Sequence, residues 1–279
     1  MGQPQRKENP EQRREEVAGV VAAPGLSPAR WSRPAGLTPI GWAVLAAVIL
    51  LVNLPVILRA LRGPQPVTVT IPYSDDFSDP STVTRNYWST GGFWRVVGGE
   101  LLAPGVKNNP LWLKASLPRD VAVELDARSD SPEGDIKVEI FGDGLNHASG
   151  YVLIHGGWNN RLSIIARLDE HGTSLQDLQR KAQRIASEKG LPSAGLVETG
   201  VFTEHTAMRV EATPFAVEQG KTYHWRIERR GTLLRWFIDG KPFMEFDDPF
   251  PLQGKSHDRF GFSNWESQLY FDNLRIEPL

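Results

Sequence analysis

Residues 37–58 read LTPIGWAVLAAVILLVNLPVIL, 22 positions without a charged side chain, and Asn53 is the one strongly polar group among them. About 20 apolar residues rising 1.5 Å each span the ~30 Å hydrocarbon core of a bilayer. The run is therefore read as a single transmembrane helix, a signal anchor, with Trp42 near the headgroup level at one end. Pro55 lacks the N–H that an interior helical turn requires and is expected to kink or end the helix. A cleaved signal peptide fits less well, because its apolar stretch is ~7–15 residues and sits closer to the N-terminus. No small-x-small cleavage site follows Leu58.

This segment divides the chain into unequal parts. Residues 1–36 are rich in Gln, Glu, Arg and Pro and read as a disordered arm, with a short helix conceivable at 11–21. Residues 59–72 read as a linker, and residues 73–279 as one large domain. Arg30 and Arg33 flank one side of the apolar run and Arg59 and Arg62 the other, so the nearest charges barely choose an orientation. The arm carries six basic and four acidic residues, and the remainder 25 and 29. That asymmetry favours a cytoplasmic N-terminus and an extracytoplasmic domain. A net charge of -2 gives no basic excess to attract nucleic acid. With no cysteine, disulfides and thiolate metal sites are excluded. Seven of the nine tryptophans follow Trp42, and that aromatic area needs a packed core or a binding surface.

From Thr68 onward short stretches alternate apolar and polar residues between Gly, Asn, Asp and Pro turn signals. In residues 121–127, Val121, Val123, Leu125 and Ala127 share one face, and Ala122, Glu124 and Asp126 the other. Residues 136–140 repeat the arrangement, with Lys137 and Glu139 outward. Residues 223–229 put Tyr223, Trp225 and Ile227 inward, and His224, Arg226 and Glu228 outward. Several half-buried strands of this kind predict an all-β sandwich or barrel. Tight turns are expected at Arg230-Gly231 and Asp239-Gly240. Residues 173–189 break the pattern. Leu175, Leu178, Ala182 and Ile185 have helical spacing, Thr173 and Gln176 can form a capping box, and Gly190 can stop the helix. Residues 169–215 are thus read as a helical insertion, either a lid, a packing element or a docking surface.

Several phrases in sequence order resemble one known superfamily. They are Asp75-Asp-Phe-Ser-Asp79, the stretch from Trp94 to Leu102 (W-x-V-x-x-G-x-L), Tyr151-Val-Leu-Ile, the run from Lys221 to Asp239, Arg259-Phe-Gly-Phe, and the closing Tyr270-Phe-Asp-Asn-Leu-Arg-Ile276. Together residues ~73–279 resemble the concanavalin A-like lectin/glucanase superfamily, in its laminin G-like jelly-roll form. The resemblance implies an all-β, concanavalin A-like jelly-roll β-sandwich whose first and last strands lie side by side. It does not imply one function, because this architecture hosts lectins, hydrolases and structural modules alike.

Related glucanases carry E-x-D-x-x-E on one strand. Glu124-Leu-Asp126 supplies the first two positions, and Ser129 stands where the second glutamate belongs. A hydrolase would then need another carboxylate, Glu139 or Glu228, to flank the glycosidic bond with Glu124. Glu124, Asp126, Lys137, Glu139, His224, Arg226 and Glu228 are expected to share one outward face, either as a groove for sugar hydroxyls or as cross-strand ion pairs. A second constellation is Tyr151, His155 and Trp158 with Asn159-Asn160, and Trp265 is a loop tryptophan of the same kind. Each can offer a flat apolar platform to a sugar or simply pack a turn. Six scattered histidines lack tight ligand spacing, so no catalytic metal or other cofactor is expected. The resemblance allows one exception, a structural calcium between the terminal strands at Asp76 and Asp272. Gly142-Asp-Gly144 is a turn rather than a phosphate loop.

These readings converge on a membrane-anchored, lectin-like domain whose partner is a glycan or an envelope component. The alternatives are a glycoside hydrolase with a nonstandard carboxylate set, and a structural or protein-interaction module that docks through the inserted helix.

Overall fold

A computed structural model describes residues 36, 38–60, 63, 65–191, 193–212 and 215–279. The arm, with its expected disorder and short helix, lies outside the described residues apart from Gly36. Two units emerge, the second beginning at Gly63.

The first unit contains helix α1 (Pro39–Ala60). Thr38 caps it, the Gly41 N–H donating to Thr38 Oγ1 at 3.1 Å. Pro39 fills the first helical position, where a missing N–H costs nothing. The segment Pro39–Leu58 is long and apolar enough to cross a membrane. Pro55 does not end the helix, which continues through five more residues. Asn53 donates through Nδ2 to the Ile49 carbonyl at 2.7 Å, so its amide is satisfied along the helix itself.

The second unit is a two-sheet β-sandwich, with strands numbered in chain order. Sheet A runs β14 (Lys241–Asp247), β13 (Leu233–Ile238), β12 (Thr222–Arg230), β6 (Val121–Ser129), β16 (Gln268–Pro278), β4 (Glu100–Pro104), β3 (Arg95–Val97), and β1 (Tyr73–Asp75) also pairs with β16. Sheet B runs β10 (Thr173–Ser174), β11 (Met208–Glu211), β9 (Leu162–Arg167), β8 (Tyr151–Gly156), β7 (Ile136–Gly142), β15 (Arg259–Ser263), β5 (Leu111–Leu113), β2 (Tyr87–Ser89). Tyr73 registers with Ile276, so the first and last strands of the sandwich are neighbours, as the jelly-roll resemblance implies. Both tight turns also form: β12–β13 closes around Gly231, and β13–β14 around Asp239-Gly240, both of these at positive φ.

The inward faces meet in one core. Val123, Leu125, Tyr223, Trp225 and Trp236 come from sheet A, and Val138, Ile140, Leu153, Phe260 and Phe262 from sheet B. Trp225 and Trp236 pack with ring centroids 4.5 Å apart. On sheet B, Trp112 lies so close to Gly142 and Gly261 that a Cβ at either would sit 2.3 Å or 2.6 Å from the indole. Glycine is required there by contact with the ring.

The insertion contributes more than a helix. Helix α2 (Leu175–Glu188) buries Leu178, Ala182 and Ala186, and its cap is Ser174, one residue later than expected, accepting from the Asp177 N–H. Before and after it, β10 and β11 pair in parallel and extend the edge of sheet B beyond β9. Arg167 fastens the loops that follow. Its guanidinium donates to the carbonyls of Glu204, Thr206 and Phe250 and to Asp248 Oδ2 at 2.8 Å.

Candidate functional site

Strands β6 and β7 are consecutive in the chain but belong to opposite sheets, and this redistributes the residues that alternation alone groups together. Glu124, Asp126, His224, Arg226 and Glu228 share the outer face of sheet A through the β6–β12 register. Lys137 and Glu139 point outward from sheet B, on the far side of the sandwich. Glu124 and Glu139 therefore cannot flank one glycosidic bond.

The groups on sheet A engage one another. Arg226 pairs with Glu124 and, at 2.6 Å, with Glu228. Asp126 accepts from Asn273 Nδ2 at 2.8 Å and lies 2.8 Å from His224 Nδ1. Tyr151 and His155 also depart from their expected grouping. Both sit on the inward face of β8, where the period of 2 places 151, 153 and 155 together. The Tyr151 hydroxyl donates to Asp248 Oδ2 at 2.6 Å. His155 stacks on Phe215 among Tyr223, Trp225, Trp236 and Phe243. Burial drives its pKa down to about 4, leaving a neutral ring.

Of the expected ligand residues, Trp158 and Trp265 come together. They line an open cleft of about 690 Å³ on the outer side of sheet B, with Asn108, Asp135, Lys137 and Glu170 among its other walls. They are 38% and 48% exposed, much more than the core tryptophans. Glu133, Asn159, His171 and Glu266 add polar edges.

Loops from both ends of sheet B build this cleft. At one end lie the turn after β8, the 264–267 loop after β15, and the 105–108 loop, joined to it by Glu266 N–H to Val106 O at 2.9 Å and Asn108 N–H to Asn264 O at 2.8 Å. At the other end, residues 143–149 and 168–172 fold back across the sheet. They bring His147 and Glu170 over β7 and bury Lys137 and Glu139 to 1% and 0% exposure. Sequence alternation marked these two side chains as solvated.

The turn after β8 is strained. Gly156, Trp158, Asn159 and Asn160 all have positive φ, from 52° to 69°. Trp158 costs about 1–2 kcal/mol in this region, whereas Asn159 and Asn160 are of the type that tolerates it. Asn160 holds the turn in place. Its Oδ1 accepts from the Val217 N–H at 2.7 Å, and its Nδ2 donates to the carbonyls of Val217 at 2.7 Å and Pro132 at 3.3 Å. A Cβ at Gly156 would come within 2.4 Å of Asn160 Oδ1, so the wild-type glycine makes room for the brace. Strain held by such bracing is a mark of functional positions.

Beneath the tryptophans runs a chain of buried charges. Lys137 Nζ donates to Glu170 Oε2 at 3.0 Å and Asn108 Oδ1 at 3.2 Å, and lies 3.6 Å from Asp135 Oδ2. His147 pairs with Glu139 at 2.6 Å and with Glu170 at 3.2 Å. Burial opposes charge on His147, but the two glutamates outweigh it and raise its pKa to about 9. Burial likewise opposes ionisation of Glu170, while His147 and Lys137 bring it down to about 2. At Asp135 burial wins over Lys137, with Glu170 adding to it, and the carboxyl rises to about 6. The floor is thus a fixed array of donors and acceptors suited to hydroxyl and amino groups. Lys137 belongs to the charged face expected from the sequence, whereas Asp135, Glu170 and Asn108 are not among the expected ligand residues. The Gly134-Asp135 step, both at positive φ, was the nearest sequence signal.

At the expected calcium position, one oxygen of each carboxylate is engaged by a protein donor. Asp76 Oδ1 accepts from the Ser78 N–H and hydroxyl, Asp272 Oδ1 from the Asn273 N–H, and nearby Glu100 from Arg128. Burial, together with Glu100, Asp126 and Asp76, raises the Asp272 pKa. Among the described residues no group of three or more His, Cys, Asp or Glu is arranged to hold a metal ion.

No protein-family model matches the sequence. No curated protein matches it either. Among solved structures, the carbohydrate-binding module CBM66 from Bacillus subtilis is similar at 16% identity and a TM-score of 0.44, over 69% of this chain and 95% of that one. A protein of unknown function with a galectin-like fold from Bacillus subtilis is 12% identical, with a TM-score of 0.44 over 74% and 94%. The Emp47p carbohydrate recognition domain is 12% identical, with a TM-score of 0.43 over 75% and 96%. Likenesses this distant do not bear on what the cleft binds.

Proposed function

We propose that the protein is a membrane-anchored module that binds carbohydrate in the cleft of sheet B. Helix α1 serves as the anchor, with the N-terminus cytoplasmic and the sandwich outside. The carrying observation is the pair of half-exposed tryptophans beside a rigid, buried polar floor. Sugars present apolar C–H faces and a ring of hydroxyls, and an aromatic wall over fixed donors and acceptors matches both. The braced turn at 156–160 supports the same reading, because it presents Trp158 preorganised and so reduces the entropy lost on binding.

The test is a glycan array probed with the full chain in detergent micelles, followed by titration of tryptophan fluorescence with the best ligands. Trp158→Ala and Trp265→Ala should each weaken binding by about tenfold, the scale of one lost aromatic platform. Binding that survives both substitutions, or no binding across the array, overturns the proposal.

A further inference from the structure

Resting on the carbohydrate reading, we infer that the cleft selects saccharides bearing a free amino group, whose ammonium donates to Asp135 beside the two tryptophans. Most charges around the cleft are already paired. Lys137 is matched by Glu170 at 3.0 Å and His147 by Glu139 at 2.6 Å, while Glu266 on the rim is matched by Lys107. His171 stands 3.6 Å from Glu170, on the same carboxylate. The floor therefore holds one carboxylate more than it has cations, Asp135 sharing Lys137 with Glu170 at 3.6 Å, and Glu133 adds another at the rim. Both Asp135 and Glu133 line the cleft on the segment leading into β7. Glu133 is exposed and has no ion pair among the described residues.

Asp135 supplies the independent observation. The residue is 8% exposed, its side chain lines the cleft, and its Oδ2 accepts no hydrogen bond, the Lys137 ammonium being 3.6 Å away. A buried carboxylate oxygen without a donor is costly, so a donor arriving with the ligand is favoured. Neutral hydroxyls can donate there but leave the surplus charge uncompensated. Sugar carboxylates meet repulsion. An ammonium forms a charge-assisted hydrogen bond, roughly twice as strong as a neutral one. Indole faces add to the attraction for a cation. Burial holds the Asp135 proton up to about 6, so a bound ammonium also stabilises the ionised carboxylate, and binding weakens as pH falls through that value.

The test is isothermal titration of the full chain in micelles with three oligosaccharides of equal length: one of β-linked glucosamine, its N-acetylated counterpart, and one of glucuronate. At neutral pH the amine oligomer should bind about tenfold more tightly than the acetylated one, as expected when a neutral hydrogen bond becomes charge-assisted, with glucuronate weakest. Asp135→Asn should erase that preference with the melting temperature retained, since asparagine tolerates the φ of 58° at this position. Should that variant fail to fold, Glu133→Gln on the exposed rim is the second probe and should reduce the preference. Equal binding of the three oligomers, a tighter acetylated oligomer, or a preference untouched by these substitutions overturns the inference while leaving the carbohydrate reading. Absence of binding to these three and to every glycan on the array overturns both.

Discussion

The two outer faces of the sandwich use charged side chains in opposite ways. On sheet A, Arg226 sits between Glu124 and Glu228, and Asp126 lies beside His224, all partly open to water. On sheet B, Lys137, Glu139 and Glu170 are enclosed under loops, with side chains no more than 11% exposed. Solvent screens the first set, and its pairs sit where surface ion pairs contribute little. Enclosure makes the second set depend on complete pairing, because each lost partner strands a buried charge. Strands with similar sequence patterns thus form a solvated surface on one side and a preorganised floor on the other. The difference lies in the loops.

The largest expected effect comes from opening the enclosed network. Lys137→Met should cost about 3–5 kcal/mol in chemical denaturation, since Glu170 and Asp135 lose their cation. A loss below about 1 kcal/mol would show that sheet B behaves like sheet A. Next is Asn160→Ala, which releases the brace on the left-handed turn and removes hydrogen bonds to Val217 and Pro132. About 2–3 kcal/mol is expected from the lost bonds and the strain they hold, with saccharide affinity falling in the same variant.

A pH dependence comes third. The folded-state pKa of His147 is raised to about 9 from 6.5, so its contribution is complete below about 6.5 and is lost as pH rises through 9. Stability should decline by on the order of 2 kcal/mol over that interval, and His147→Gln should flatten the curve. An unchanged slope in the variant would remove His147 from the network. On sheet A, Arg226→Ala should cost less than about 1 kcal/mol. The smallest effect concerns Asp76 and Asp272, where melting in calcium and in chelator should give the same midpoint. A calcium-dependent rise would mean that these carboxylates exchange their protein donors for a metal.

How much of this was legible in the sequence follows the same division. Sheet A could be read directly. Residues 121–127 and 223–229 alternate between core and solvent because water covers their outer face, and the turns at Gly231 and Asp239-Gly240 carry their own chemistry. Sheet B could not be read this way. The burial of β7 is continuous, so Lys137 and Glu139 look solvated only until the 143–149 and 168–172 loops are placed. Local spacing does not encode where a loop folds back. Period 2 also puts Tyr151 and His155 on one face without saying that this face is the inner one. Trp158 and Trp265 were found as loop tryptophans, but their meeting depends on contacts between segments about a hundred residues apart in the chain. In the insertion the helix was visible from its spacing, whereas β10 and β11 are too short to announce themselves.

Strand β16 has a consequence for how the sandwich is made. It lies in the middle of sheet A, joining β6 on one side to β4 on the other and pairing also with β1, yet ribosomes produce it after every strand it connects. During synthesis the β6 edge stays bare and β1, β3 and β4 have no bridge to the rest of the sheet. Such long-range pairings close slowly, and an unpaired edge invites association with other chains. Sheet B waits in the same way for β15, which joins β7 to β5 and ends just before β16. The β7–β9 strands and the β12–β14 meander can form first, and the β15–β16 segment closes both sheets in one late step.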